Sequence, residues 1–139
     1  MDKAKMVLIM GVVLTLWNLM GVYSFYHDYT MTAADIAKLP ASDAVMYAKM
    51  GGWEWAVYAA GTIFGLSGAV CILFKKIWAA PLSLVSLIAV IIQFGHSLFA
   101  RSAGGGWTPG AIGFVSFITL ISALQYHLAR RWKSKGSLI

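Results

Sequence analysis

The chain has 139 residues and a net charge of +6, and 60% of its residues are hydrophobic while only 12% are charged. A mean hydropathy of +0.75 is too high for a water-soluble domain, because the surface of such a domain needs far more charge. The composition therefore excludes a soluble globular protein and predicts an integral membrane protein. The single cysteine, Cys71, also excludes an intrachain disulfide and a thiolate metal cluster.

Four apolar segments are long enough to cross a bilayer. A helix needs about 20 residues to span a hydrocarbon layer about 30 Å thick. The segments cover residues 6–26, 53–74, 77–99 and 110–129, and none carries a charge near its centre. They also lack the alternation of a transmembrane β-strand. The predicted fold class is all-α, with residues 1–139 forming a single transmembrane domain, an antiparallel bundle of four helices.

The first segment begins like a secretory signal peptide, with Lys3 and Lys5 before an apolar run. The run is longer than the apolar core of a usual signal peptide, and no small-x-small cleavage site follows Gly21. We therefore expect the first segment to be retained as a membrane-spanning helix.

Basic residues are distributed unequally between the two sides of the predicted membrane. One side holds Lys3, Lys5, Lys75, Lys76, Arg130, Arg131, Lys133 and Lys135, and the other holds Lys38, Lys49 and Arg101. The positive-inside tendency then predicts a multi-pass membrane protein with both termini cytoplasmic. The tail over residues 130–139 is basic and is predicted to be frayed. The net charge is thereby explained by topology, and no nucleic-acid partner is expected.

The loop over residues 27–52 is predicted to lie outside the cytoplasm and to contain short helices. Thr32 followed by Asp35 indicates a capping box, and a similar signal recurs after it. We predict short helices at about residues 33–39 and 43–50, the second covering the bundle as a lid. The last outer loop, with its glycine run, is predicted to be flexible.

One face of the second membrane helix carries an acid and a row of glycines. At 100° per residue, Glu54, Gly61, Gly65 and Gly68 share this face, and Tyr58 lies beside them. Glycines let a neighbouring helix approach closely, so the three glycines are predicted helix-packing residues. A groove with an acid at its outer mouth is the alternative, and Glu54 is expected either to line it or to cap the start of its own helix.

Polar residues in the outer half of the bundle predict a contact or a site, since a polar group in hydrocarbon needs a partner. Asn18 lies on the first helix, and Gln93 and His96 lie on the third. One interpretation is a hydrogen-bonded amide pair between Asn18 and Gln93. The other is a small outward-opening pocket, for which Asn18, Glu54, Tyr58, Gln93 and His96 are the predicted ligand-binding residues.

The sequence carries no signature of a metal site, a cofactor site or a catalytic site. His96 and His127 are separated by roughly 25 Å along the membrane normal, too far for one haem. A metal site made of His27, Asp28, Glu54 and His96 matches no known spacing. Catalytic triads, paired catalytic carboxylates and phosphate-binding loops are lacking as well, so we predict no catalytic residues, no cofactor and no metal.

The chain contains the stretches "LWNLMGVYSFY" and "TMTAADIAKLP" and a longer segment from "YAKMGGWEW" to Phe99. These stretches resemble a family of small bacterial inner-membrane proteins often labelled "sugar transporter". The likeness is strongest at Trp17, Asn18, Gly21, Thr32, Leu39, Pro40, Trp78, Ala79, Pro81, Leu82 and Ser83. The resemblance implies a four-helix membrane protein with an outer loop after the first helix. Where such relatives carry an arginine pair between helices two and three, this chain has Lys75 and Lys76.

These observations lead to several functional expectations. The first is a membrane protein that binds a small polar solute or a lipid from the outer side. For transport, a sugar-transporter-like protein of this size is expected to act as a homo-oligomer. The alternatives are an accessory subunit of a larger membrane complex and a redox or quinone-associated protein similar in size to the DoxX-like proteins. Proton-coupled multidrug export is disfavoured, because no ionisable residue lies at mid-membrane.

Overall fold

The structure is a computed structural model that describes residues 1–103 and 106–139. Every regular element in these residues is a helix, which confirms the all-α fold class. The helices are α1 (Lys3–Tyr29), α2 (Ala33–Ala37), α3 (Ala41–Ala48), α4 (Gly52–Leu73), α5 (Ala79–Ser102) and α6 (Pro109–Ser134). Four of them, α1, α4, α5 and α6, are long and apolar enough to span a membrane. The predicted flexible glycine run falls largely on residues 104 and 105, outside the described residues.

Capping and backbone geometry place the ends of these helices. The Asp2 side chain accepts a hydrogen bond from the Ala4 amide at 3.3 Å, so α1 starts before the predicted boundary. The connection from α4 to α5 takes up residues 74–78 and turns through Lys75, whose φ of 56° is left-handed. Thr108 caps α6 by accepting from the Ala111 amide at 3.1 Å, with Pro109 at the first position.

The two short helices of the first loop are present, with different boundaries. The Thr32 hydroxyl accepts from the Asp35 amide at 3.2 Å, and the Asp35 carboxylate accepts from the Thr32 amide at 2.9 Å, which completes the capping box of α2. These hydrogen bonds hold the pKa of Asp35 below its usual value. α3 begins earlier than predicted because Pro40, with an extended ψ of 148°, acts as its N-cap without any side-chain hydrogen bond.

Helix α4 is the central element of the bundle. It packs along α1 on one side and α5 on the other, and α5 packs in turn against α6. Backbone contact between α1 and α6 is sparse. We call the end of the bundle where α2 and α3 lie the loop end, and the opposite end, where the chain starts and finishes, the termini end.

An apolar core fills the termini end. Its buried members are Val7, Leu14, Ala69, Ile72, Ala79, Ala80, Ala129, Trp132 and Leu138. They come from all four long helices and from the segment after α6. In a bilayer such packing supplies van der Waals contact rather than a hydrophobic driving force, so close fit holds this end together.

The segment after residue 129 is ordered, unlike the frayed tail that the sequence predicted. α6 continues to Ser134, and Trp132 and Leu138 are buried in the core at 5% and 2% exposure. The Ile139 amide donates to the Lys75 carbonyl oxygen at 2.7 Å, and the Ile77 amide donates to the Ile139 carbonyl oxygen at 3.2 Å. In the sequence, apolar residues stand between the basic ones of this segment. Their packing brings the segment back to the α4–α5 connection.

Gly61, Gly65 and Gly68 of α4 are buried and face neighbouring helices. A Cβ atom at Gly68 would lie 2.5 Å from the Ser83 hydroxyl oxygen of α5. A Cβ atom at Gly65 would overlap the Asn18 side-chain oxygen and lie 2.9 Å from the Ser86 hydroxyl oxygen. The contact at Gly61 is looser, with 3.5 Å to Val90. Gly65 and Gly68 therefore make room for polar side chains of α1 and α5.

We expect Gly65→Ala to lower the free energy of unfolding by about 1–3 kcal/mol, because the added methyl group overlaps two hydrogen-bonding side chains. Gly113→Ala in α6 is the matched control, since its Cβ meets no atom within 4 Å. The control should leave stability unchanged or raise it by roughly 0.5–1 kcal/mol through helix propensity. Thermal unfolding of both variants in the same detergent measures the difference, and equal stabilities would show that Gly65 is not tightly packed.

Candidate functional site

A cavity of about 580 Å³ lies inside the loop end of the bundle. Its walls come from α1, α3, α4, α5 and α6. All five predicted ligand-binding residues border it: Asn18, Glu54, Tyr58, Gln93 and His96. The volume falls within the range of small-molecule sites, about 300–1,000 Å³. The residues that the sequence singled out on three different helices therefore meet around one space.

Glu54 lies in the first turn of α4 and is buried, with 8% of its surface exposed. One carboxylate oxygen, Oε2, accepts from the Gly51 amide at 3.0 Å, which satisfies the start of α4. The other, Oε1, lies 3.6 Å from Nε2 of His96. Both roles considered for Glu54 are thus present, because it caps its helix and also lines the cavity.

His96 reaches the cavity from α5 and packs against an aromatic ring. The Trp53 ring meets the imidazole edge to face, with centroids 4.8 Å apart. The separation of 3.6 Å from Glu54 is longer than a direct hydrogen bond. Oε1 of Glu54 therefore retains capacity to accept a hydrogen bond from a ligand in the cavity.

Asp28, near the end of α1, joins three helices. Its Oδ2 atom accepts hydrogen bonds from the hydroxyl groups of Tyr47 on α3 and Tyr58 on α4, each at 2.9 Å. Its Oδ1 atom lies 3.2 Å from Nδ1 of His27. Burial and the neighbouring carboxylate raise the pKa of Tyr47 well above its usual value, so Tyr47 stays protonated and remains a donor.

Helix α3 covers the loop end of the cavity and is held down at several points. Asp43 pairs with Arg101 of α5 at 2.9 Å, and the Ser97 hydroxyl donates to the Met46 sulfur at 2.7 Å. Met46 and Tyr47 line the cavity from above. Within the described residues, the buried Nε of Arg101 has no hydrogen-bond partner, so one donor of this cavity-lining guanidinium is unused.

Asn18 does not pair with Gln93, contrary to the first interpretation of the sequence. Its Nδ2 atom donates to Oε1 of Gln125 on α6 at 2.8 Å and to the Leu14 carbonyl oxygen at 2.7 Å. Gln125 in turn donates to the Gly65 carbonyl oxygen at 2.9 Å. Gln93 instead borders the cavity. The amide nitrogen of Asn18 is thus committed to the protein, and the side chain borders the cavity.

Sequence reasoning missed Gln125, Asp28 and Tyr47. Gln125 had a usable signal, since it is the only amide within residues 110–129 and a polar group in hydrocarbon demands a partner. The contacts of Asp28 with Tyr47 and Tyr58 had no signal, because they span 19 and 30 residues of the chain and depend on how the loop folds back.

Within residues 1–103 and 106–139, no three side chains of His, Cys, Asp or Glu are arranged to hold a metal ion. Comparisons with protein-family models, curated proteins and solved structures found no match for this chain. The cavity supplies carboxylates, amides, hydroxyl groups and aromatic rings, which together bind by hydrogen bonding and by contact with apolar groups.

Tyr47→Phe should loosen α3, because Asp28 then loses one of its two hydroxyl donors while the ring remains in place. Hydrogen bonds to charged groups contribute about 1.5–3 kcal/mol, so amide exchange in residues 41–48 should accelerate roughly tenfold or more. Tyr29→Phe is the control, since Tyr29 is exposed. Hydrogen exchange followed by mass spectrometry measures both, and an unchanged rate in Tyr47→Phe would mean that the hydroxyl does not hold α3.

Proposed function

We propose that this membrane protein binds a small polar or amphipathic molecule in the cavity at the loop end. The observation that carries the proposal is the convergence of polar side chains from α1, α3, α4 and α5 on one space of about 580 Å³. In a membrane such side chains are costly unless they are paired or used. Within the described residues, Oε1 of Glu54 and Nε of Arg101 have no hydrogen-bond partner, so they provide an acceptor and a donor for a ligand.

The ligand that fits has a polar part and an apolar part. Carboxylates and histidines line the cavity near α3, whereas Val57, Val90, Phe94 and Ile118 contribute apolar wall. Sites of this kind use a few polar groups for orientation and an apolar wall for most of the contact. A sugar attached to an apolar group and a lipid headgroup both have this composition.

A role in transport would require more than one copy of the chain. Four helices enclose a binding cavity, but they leave little space for a permeation path, so a transporter of this size acts as a homo-oligomer. The sugar-transporter label of the resembling family is consistent with a cavity that binds hydroxyl groups. Binding is the part of the proposal that the cavity supports directly.

The proposed membrane is the bacterial inner membrane, with the termini end in the cytoplasm and the cavity on the outer side. Support comes from the basic residues at the termini end, which include Lys75 and Lys76 between α4 and α5. The described loop end has fewer basic residues, and Arg101 there is paired with Asp43.

A ligand that fills the cavity should raise the melting temperature of the protein in lipid nanodiscs, because binding to the folded state stabilises it by about 2.7 kcal/mol at 100 times its Kd. Three probes with similar alkyl chains and different head groups cover neutral, cationic and anionic ligands: octyl glucoside, octylamine and octanoate. Ser122→Phe should abolish the rise, since Ser122 lines the cavity and the larger ring occupies it.

Ser116→Phe makes the same change on an exposed part of α6 and should keep the wild-type response. Saturable stabilisation by any probe that disappears only in Ser122→Phe supports the binding site. If no probe stabilises the wild type, or if both variants respond equally, the cavity is not a binding site and the proposal fails.

The orientation is tested with single cysteines in a Cys71→Ala background. A membrane-impermeant maleimide applied to spheroplasts should label Lys38→Cys, an exposed position of the loop end. Lys133→Cys, exposed at the termini end, should react only after the inner membrane is opened. The reverse pattern would place the cavity on the cytoplasmic side.

A further inference from the structure

Helices α1 and α6 leave a gap on one side of the cavity. Backbone contact between them is sparse, and they meet through side chains: the Asn18–Gln125 hydrogen bond at 2.8 Å and the edge-to-face rings of Trp17 and Phe117, 5.4 Å apart. Near this gap the cavity is lined from α1 by Trp17, Met20 and Tyr23 and from α6 by Phe114, Ile118 and Ser122.

Several of these side chains belong to the cavity wall and to the outer surface at the same time. Met20 is 63% exposed, Tyr23 is 69% exposed and Phe114 is 60% exposed, yet all three border the cavity. Side chains that line the cavity and are also exposed on the outer surface mark an opening in the cavity wall. Met20 and Phe114 lie on membrane-spanning helices, so this opening faces lipid.

The route from water at the loop end is covered in part, since His27 and Trp53 of the lining are exposed there. α3 lies over the loop end and is fastened to α1, α4 and α5 through Asp28, Tyr58, Ser97 and Arg101. At the α1–α6 gap, a molecule that arrives from the bilayer meets side-chain contacts rather than a covering helix: the Asn18–Gln125 hydrogen bond and the ring pair of Trp17 and Phe117. An apolar chain lying in the gap would contact Met20, Phe114 and Ile118 while its head enters the cavity.

The charges of the cavity favour a cationic head. Among the described lining residues, Arg101 is the single lysine or arginine, and it is paired with Asp43. Asp28 and Glu54 add two carboxylates to the lining. Asp28 receives hydroxyl donors and Glu54 one amide donor. The basic groups beside them in the described chain are His27 at 3.2 Å and His96 at 3.6 Å, and neither carboxylate is paired with a lysine or arginine. The rings of Tyr23 and Trp53 also border the cavity and would attract a cation.

We propose that the natural ligand is an amphiphile with a cationic amine head, which enters sideways from the bilayer between α1 and α6. Its ammonium group lies near Oε1 of Glu54, and its apolar chain stays in the gap. This inference rests on the proposed binding function and adds the class of ligand and its path.

The test uses octylamine as the probe, with ethylamine as the head without a chain and octyl glucoside as the chain without a charge. Octylamine should bind at least tenfold more tightly than either, measured by titrating the melting temperature in nanodiscs. Glu54→Gln should weaken octylamine binding roughly tenfold while leaving octyl glucoside nearly unaffected, because a charged partner is lost. In Glu54→Gln, the side-chain amide oxygen is expected to accept from the Gly51 amide as the carboxylate does, so α4 keeps its cap.

The path is tested with an alkylamine that carries a diazirine at the end of its chain. Labelling that excess octylamine suppresses should map to α1 and α6 peptides containing Met20 and Phe114, and should vanish in Ser122→Phe but not in Ser116→Phe. Suppressible labelling confined to α3 would overturn the sideways path.

The remaining outcomes separate the inference from the proposed function. If octyl glucoside binds and octylamine does not, the cationic head is wrong and the binding function stands. If ethylamine binds as tightly as octylamine, the chain does not use the gap and the binding function again stands. If none of these three probes binds but octanoate does, the cationic head is wrong and the binding function stands. If octanoate fails as well, both proposals fail together.

Discussion

The hydrogen bond between Asn18 and Gln125 is the interaction on which the closed bundle depends. α1 and α6 have little backbone contact, and this bond joins their side chains at 2.8 Å. Gln125 also donates to the Gly65 carbonyl oxygen and to the Ser83 hydroxyl, so one amide engages all four membrane-spanning helices. In hydrocarbon these groups have no water to turn to, and the partners of each amide are therefore fixed by the others. Positions 65 and 68 require glycine because the side chains of this network lie where a Cβ atom would be.

The network divides the bundle into two parts with different properties. Toward the termini end, small and branched apolar side chains pack with one another and with Trp132. Toward the loop end, the helices separate enough to leave a cavity, and α3 closes over it. A recess at one end of a bundle survives when the other end is tightly packed, because the packed end holds the helix axes in place. The shape of the cavity thus depends on residues that do not line it.

The sequence was sufficient for the parts of this architecture that follow from a single helix. Segment length and apolar composition predicted the four spans, and the 100° repeat placed Glu54 with the glycines that the structure finds buried beside it. Depth in the membrane also brought Asn18, Gln93 and His96 to one level, where they border the same cavity. The partner of Asn18 could not be chosen this way, because it depends on how two helices rotate against each other. The Asp28 contacts and the docking of Leu138 are likewise set by chain segments folding back, for which one sequence gives no periodic signal.

The buried acid at the head of α4 is the feature that most favours the proposed binding site over a packing defect. A carboxylate that served only to cap the helix would do so equally well at the surface, where water satisfies its second oxygen. Glu54 is instead 8% exposed, with one oxygen on the Gly51 amide and the other 3.6 Å from His96. Asp28 in the same cavity has both oxygens engaged by protein groups and needs nothing further. The contrast between the two carboxylates leaves Oε1 of Glu54, which lies 3.6 Å from His96 and has no hydrogen bond within the described residues, as the oxygen that the proposed cationic ligand would contact.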